Sequence, residues 1–287
     1  MRLALVILAL VATSARAQTE PAGSAPEPLA IPGAETFTLD APAQTYRIHV
    51  TLPEGYRETG APHAVLYYAD AWWLTEAVAG IRRLADLAES TDIEPVILVG
   101  IGMDGEPRAW NAQRNRDLTP SPTQFAGGGG FPIGGVIMDS TNTGGAPAFL
   151  RFIQDRLAPR IEAHYNASAT RRGWLGHSLG GLFGAWAAQA RPDAFERLLL
   201  ISPSAWWNNG EVVEAGFTAP EAQDARVFLA YGIEEGNLLR TWAPPLADAM
   251  EAGGFPVTRR VYEGAGHHSI LPQAIWDGLV ALYGEAE

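Results

Sequence analysis

Hydrophobic and polar residues alternate through residues 45–52 (TYRIHVTL), which predicts a strand with one covered face, closed by a Pro53-Glu-Gly55 turn. Residues 64–69 (AVLYYA) and 95–102 (PVILVGIG) are instead unbroken apolar runs, as expected of strands buried on both faces. Residues 74–88 between them predict a helix. Strand, helix and strand at this spacing make a βαβ unit, and so a parallel sheet. The rhythm resumes after residue 145. Phe149, Leu150, Ile153, Leu157 and Ile161 mark one face of a helix over 148–165, restarted at Pro159. Strands are predicted at 171–175, 198–202, 226–231 and 257–262, with helices over 179–190, 238–252 and 272–283. No internal repeat is found. The fold class read from this pattern is α/β: a mostly parallel, twisted sheet with helices on both faces.

Three stretches break the pattern. Arg2, the apolar run 3–12 and the Ala15-Arg-Ala17 site read as a cleavable export signal over residues 1–17, too short to span a bilayer. Residues 18–36, rich in Pro, Ala, Gly and Glu, read as a flexible arm, so the folded domain is expected over 37–287. Residues 103–145 carry Trp110, Arg114, Arg116 and four consecutive glycines, and read as a long loop insertion forming a mobile wall over the site.

Composition narrows the chemistry. The net charge is −12, and removal of residues 1–17 with Arg2 and Arg16 takes it to −14, which argues against nucleic acid and anionic membrane as partners. All 20 basic residues are arginine, which excludes lysine Schiff-base and Ser-Lys chemistry. With no cysteine there is no thiol nucleophile, disulfide, cysteine metal site or lipidated cysteine anchor. No cofactor is expected. Location is expected to be periplasmic or secreted.

Gly176-His-Ser178-Leu-Gly180 matches G-x-S-x-G, between a predicted strand and a predicted helix. A serine hydroxyl needs a base within hydrogen-bond reach, and the base needs an acid to orient it. In open α/β sheets such groups come from the carboxyl ends of strands. Glu234-Glu235 follows the strand at 226–231 and His267-His268 follows the last strand. Of each pair, Glu235 and His267 are preferred. The oxyanion donors are expected to be the N–H groups of Leu179 and Ala71, with Trp72 as the fallback. Substrate-binding candidates are Trp72, Arg114, Arg116, His177, Trp206 and Trp207; core or rim packing and surface ion pairs are their structural alternatives. His49, His63 and His164 are read as structural.

The stretches VLYYADA, RNRDLTP, GHSLGGLFGAWA, FERLLLISPSAWW and GHHSILPQAI, spread from about residue 45 to the C-terminus, resemble the esterase D/ferric enterobactin esterase group of α/β-hydrolases, which also holds feruloyl esterases. RNRDLTP and SPSAWW are most similar to its siderophore-esterase branch. The resemblance implies an α/β-hydrolase fold and an acyl-enzyme mechanism on carboxylic esters. It places the histidine of the group's H-x-S on His267 and the acid, three residues after a strand-ending glycine, on Glu235. Ala71 stands where the group usually has glycine, and glutamate replaces the commoner aspartate. A catecholate siderophore ester is the implied substrate. A general or feruloyl-type carboxylesterase, an acyltransferase and a non-enzymatic binding protein are the rivals.

Overall fold

The computed structural model describes residues 29–42, 44–88, 92–103, 107–123, 131–133, 136–221 and 224–284. The expected export signal and most of the expected arm lie outside the described residues. Every element below lies within the compact unit Ile31–Glu287.

Ten strands are described: β1 (Ala34–Ala41), β2 (Gln44–Thr51), β3 (His63–Tyr68), β4 (Val96–Gly102), β5 (Phe131–Ile133), β6 (Val136–Met138), β7 (Ala167–His177), β8 (Arg197–Ile201), β9 (Arg226–Gly232) and β10 (Val257–Tyr262). The helices are α1 (Ala71–Leu87), α2 (Pro107–Asp117), α3 (Ala146–Phe152), α4 (Ala158–His164), α5 (Leu179–Ala190), α6 (Glu211–Glu214), α7 (Asn237–Ala252) and α8 (Leu271–Tyr283). Eight strands form one sheet in the order β1-β2-β4-β3-β7-β8-β9-β10, while β5 and β6 pair in a separate hairpin. The first two pairings are antiparallel and all the others in the large sheet are parallel.

Alternation within β3 decides how the layers pack. Val65 and Tyr67 enter one core with Phe149, Ile153, Leu182 and Leu246, which places α3, α5 and α7 on that face. Ala64, Leu66 and Tyr68 enter the other with Leu74, Val78, Ile275 and Leu279, which places α1 and α8 there. Both faces of the sheet are thus covered, and β4 is apolar and buried along its whole length, as are β3 after His63 and β8 after Arg197.

Several expectations change. β1 begins at Ala34, within the segment read as an arm, because it pairs along β2 from Ala34↔Thr51 onward. Helix α1 starts at Ala71, three residues before the expected 74, because Asp70 adopts a left-handed backbone (φ 62°) and turns β3 directly into it. The helix over 148–165 is continuous through a π-turn at Ile153–Leu157 and enters α4 with Pro159 in its first turn, where a missing N–H costs little. The stretch 103–145 is not simply a loop, since it contains α2 and the β5–β6 hairpin.

Candidate active site

The elbow is a backbone construction. β7 runs into α5 with Ser178 alone at the corner, in a strained conformation (φ 60°, ψ −116°). A Cβ on Gly176 would lie 2.0 Å from the Gly180 carbonyl oxygen, so the chain can double back only with glycine there. Ser178 N–H donates to the Ile201 carbonyl, tying the corner to β8. The hydroxyl bonds Ser204 Oγ at 3.3 Å.

β9 and β10 supply the other groups. Glu235 lies three residues past Gly232, its side chain fully buried. Its Oε1 accepts from Ser202 Oγ (2.6 Å) and from Gly232 N–H (2.7 Å), and its Oε2 accepts from His267 Nδ1 at 3.1 Å. Burial alone would raise this carboxyl, but the bonds from His267, Ser202 and Gly232 N–H outweigh it and hold it below its ordinary value. It is therefore an ionised acceptor, and the proton of the neutral imidazole sits on Nδ1, which leaves the Nε2 lone pair for a proton acceptor's role. Glu234 is exposed. A Cβ on Gly232 would meet the Ala265 carbonyl oxygen at 2.1 Å, so glycine there lets the His267 loop come against the acid's turn.

Trp73, Trp110, Asn111, Arg114, His177, Ser178, His267 and His268 line one cleft of about 400 Å³. Hollows of about 360 and 330 Å³ elsewhere contain none of these groups, so chemistry and not size marks the site. Ser178 and His267 share the cleft, and a serine–histidine bond commonly tightens only when substrate binds. Leu179 and Ala71 each open a helix, and among the described residues no backbone carbonyl accepts from either N–H. Both are free to point at a developing negative charge.

The remaining candidates divide. Arg114 reaches the cleft but is committed: its Nε bonds both Asp70 oxygens (2.9 and 3.1 Å) and its Nη2 the His177 carbonyl (3.3 Å), while its guanidinium lies over Trp110. It braces the ends of β3 and β7. Arg116 does not line this cleft: it lines a different hollow and pairs with Asp117 and Gln44. Trp207 is fully buried in the core, with Trp206, itself only 8% exposed, packed beside it, and neither lines the cleft. Trp72 is 47% exposed, does not line the cleft, and has a ring contact with Trp110, which does. His177 is buried, and its contacts are with His267, His268 and Trp73. Ser202 and Ser204 were missed as partners of the acid and the nucleophile. Their place at the carboxyl end of β8, the same signal that found Glu235, was available.

The rest of RNRDLTP is scaffold. Asp117 accepts from Tyr46 Oη and Gln44, and Thr119 Oγ1 accepts from Gly144 N–H and donates to the Asn115 carbonyl. These bonds clamp α2 to β2 and to the start of α3.

Residues 40–269 match the model of the family described as “Putative esterase”. The chain is 31% identical over 261 residues to the ferri-bacillibactin esterase BesA of Bacillus subtilis, covering 84% of this chain and 86% of that one. It is 32% identical over 244 residues to the siderophore triacetylfusarinine C esterase of Aspergillus fumigatus, covering 80% and 77%. Among solved structures, the BES protein of Bacillus cereus superposes with a TM-score of 0.77 at 24% identity, over 91% of this chain and 100% of that one. The chain belongs to this esterase family: it is an ester-hydrolysing enzyme with the α/β-hydrolase fold.

Proposed function

We propose that the protein is an exported serine esterase that opens ester-linked siderophores, with Ser178 as nucleophile, His267 as general base and Glu235 as its orienting acid. The observation that carries this reading is the buried Glu235 carboxylate bonded to His267 Nδ1 at the cleft that also holds Ser178. Ser178 Oγ attacks the ester carbonyl and its proton passes to His267 Nε2. The Leu179 and Ala71 N–H groups stabilise the oxyanion, each such donor contributing about 3 kcal/mol. His267 returns the proton to the departing alkoxide. Water then attacks the acyl-enzyme by the same route, and the acid is released.

The substrate class rests on the relatives and on the cleft walls. The two curated relatives above are named as esterases of siderophores. Trp73 and Trp110 stand in the cleft wall, which suits an aromatic acyl group. Residues 1–17 would direct export before removal. The test is a comparison of kcat/KM for a trilactone catecholate siderophore, iron-free and ferric, with that for simple aryl and feruloyl esters. A preference of at least about tenfold for the siderophore is expected, and equal or better turnover of the simple ester would sink the substrate assignment.

A further inference from the structure

The cleft contains a histidine that the mechanism above does not use. His177 is the last residue of β7 and the immediate chain neighbour of Ser178. It is 2% exposed, too covered to serve as a substrate contact. Its Nε2–H donates to the main-chain carbonyl of His267 at 2.7 Å, and the two imidazoles lie 4.4 Å apart at 40°. The ring is backed edge-on by Trp73, and the His177 carbonyl is held by Arg114. The other ring nitrogen, Nδ1, is buried with no partner.

The geometry points to His177 as a positioning residue that latches the general-base loop to the nucleophile elbow, fixing where His267 stands relative to Ser178. This rests on the serine-esterase reading. Glu235 sets the tautomer and tilt of the His267 ring from the acid side. It does not tie the base's main chain to the nucleophile, because it belongs to the β9 turn. His177 does, since one covalent step separates it from Ser178 and one hydrogen bond separates it from His267. Burial and the neighbouring His267, Arg114 and His268 hold the imidazole neutral, well below the ordinary histidine value, so Nε2 keeps a proton to donate and Nδ1 is a bare lone pair. A buried acceptor without a partner is unfavourable. Simple packing would be better served by an apolar ring, so the bond made by the opposite nitrogen is the feature that an imidazole adds here.

A latch of this kind acts on kcat and leaves KM alone, because His177, though at the cleft, is too covered to touch substrate. Three proteins are compared: wild type, His177→Phe, which fills the ring's space without a donor, and His177→Gln, whose amide N–H falls close to the position of Nε2. For each, kcat and KM on an aryl ester, the rate of Ser178 labelling by a fluorophosphonate and the melting temperature are measured. The Phe variant is expected to lose roughly tenfold to a hundredfold in kcat and in labelling rate, with KM within about threefold, as for a misplacement of reacting groups by up to about 1 Å. The Gln variant is expected to recover to within about fivefold of wild type. Wild-type rates in the Phe variant, a Gln variant as slow as Phe, or a rise in KM at constant kcat would each overturn the latch. If the Phe variant does not fold, the Gln variant decides alone, since a loss beyond tenfold there refutes the role. Absence of labelling in wild type would instead show that the serine-esterase reading has failed, and the latch falls with it.

Discussion

Replacing Glu235 by glutamine keeps the shape of the side chain and changes one atom's chemistry, and the surroundings dictate which atom. The Oε1 position takes two donors, Ser202 Oγ–H and Gly232 N–H, so the amide oxygen must remain there. The amide nitrogen is then turned toward His267 Nδ1, where the carboxylate oxygen stood at 3.1 Å. An N–H facing Nδ1 requires Nδ1 to accept, which moves the imidazole proton to Nε2 and removes the lone pair that takes the Ser178 proton. The negative charge that steadies the imidazolium is lost in the same change. Together these effects are expected to lower kcat by roughly 10³- to 10⁴-fold, or about 4–5.5 kcal/mol of barrier, the size of the loss when a triad acid is made an amide. Initial rates on an aryl ester measure it, with the melting temperature as a check that the fold survives. Glu234→Gln is the control, because Glu234 is exposed, and it is expected to stay within about twofold of wild type. A Glu235→Gln variant that kept more than a tenth of wild-type kcat would refute the tautomer argument.

Two other predictions concern the frame around the site. Arg114→Gln leaves the buried Asp70 carboxylate without its cation, which is expected to cost ~3–5 kcal/mol of stability and, read by calorimetry, to lower the melting temperature by roughly 10 °C; an unchanged melting temperature would show that Asp70 needs no partner. Glu235 is depressed below its ordinary 4.5 in the folded state, so its contribution to stability is fully present above pH 4.5 and is lost as pH falls through the lower folded value. Unfolding free energy of Glu235→Gln should therefore depend less steeply on pH than wild type below about 4.5, and the two slopes should match above it; equal slopes in the acid range would contradict the depressed value.

The parts of the site that were legible from sequence lie at strand ends. Parallel strands with apolar runs fix which loops share one edge of the sheet, and Ser178 and Glu235 each fall just past such a run, while His267 follows the more polar edge strand β10 (VTRRVY). Strand-end position does not tell which way a side chain points. Trp206 and Trp207 follow β8 as expected, yet they turn into the core, because two adjacent indoles at the edge of an apolar layer gain more by burial than by lining a cleft. The same limit hid Ser202, whose left-handed backbone (φ 48°) aims its hydroxyl at Glu235. The sequence reading groups Arg116 with Arg114 because it does not recognise α2. Its sequence, PRAWNAQRNRD, is too polar to show an apolar stripe. Once the helix is known, Trp110 and Arg114 lie four residues apart on one face, and Arg116, two residues on, must lie on the far side. Burial separates Glu235 from the exposed Glu234, and one sequence cannot supply it.

The central claim is that Ser178 forms the acyl-enzyme, and active-site labelling tests it most directly. A fluorophosphonate incubated with the wild-type protein, followed by peptide mass spectrometry, is expected to give a single adduct on Ser178, with ester hydrolysis lost in proportion to labelling and neither adduct nor hydrolysis in Ser178→Ala. An unlabelled wild-type protein, or a Ser178→Ala variant that still labels and still hydrolyses the ester, would contradict the account.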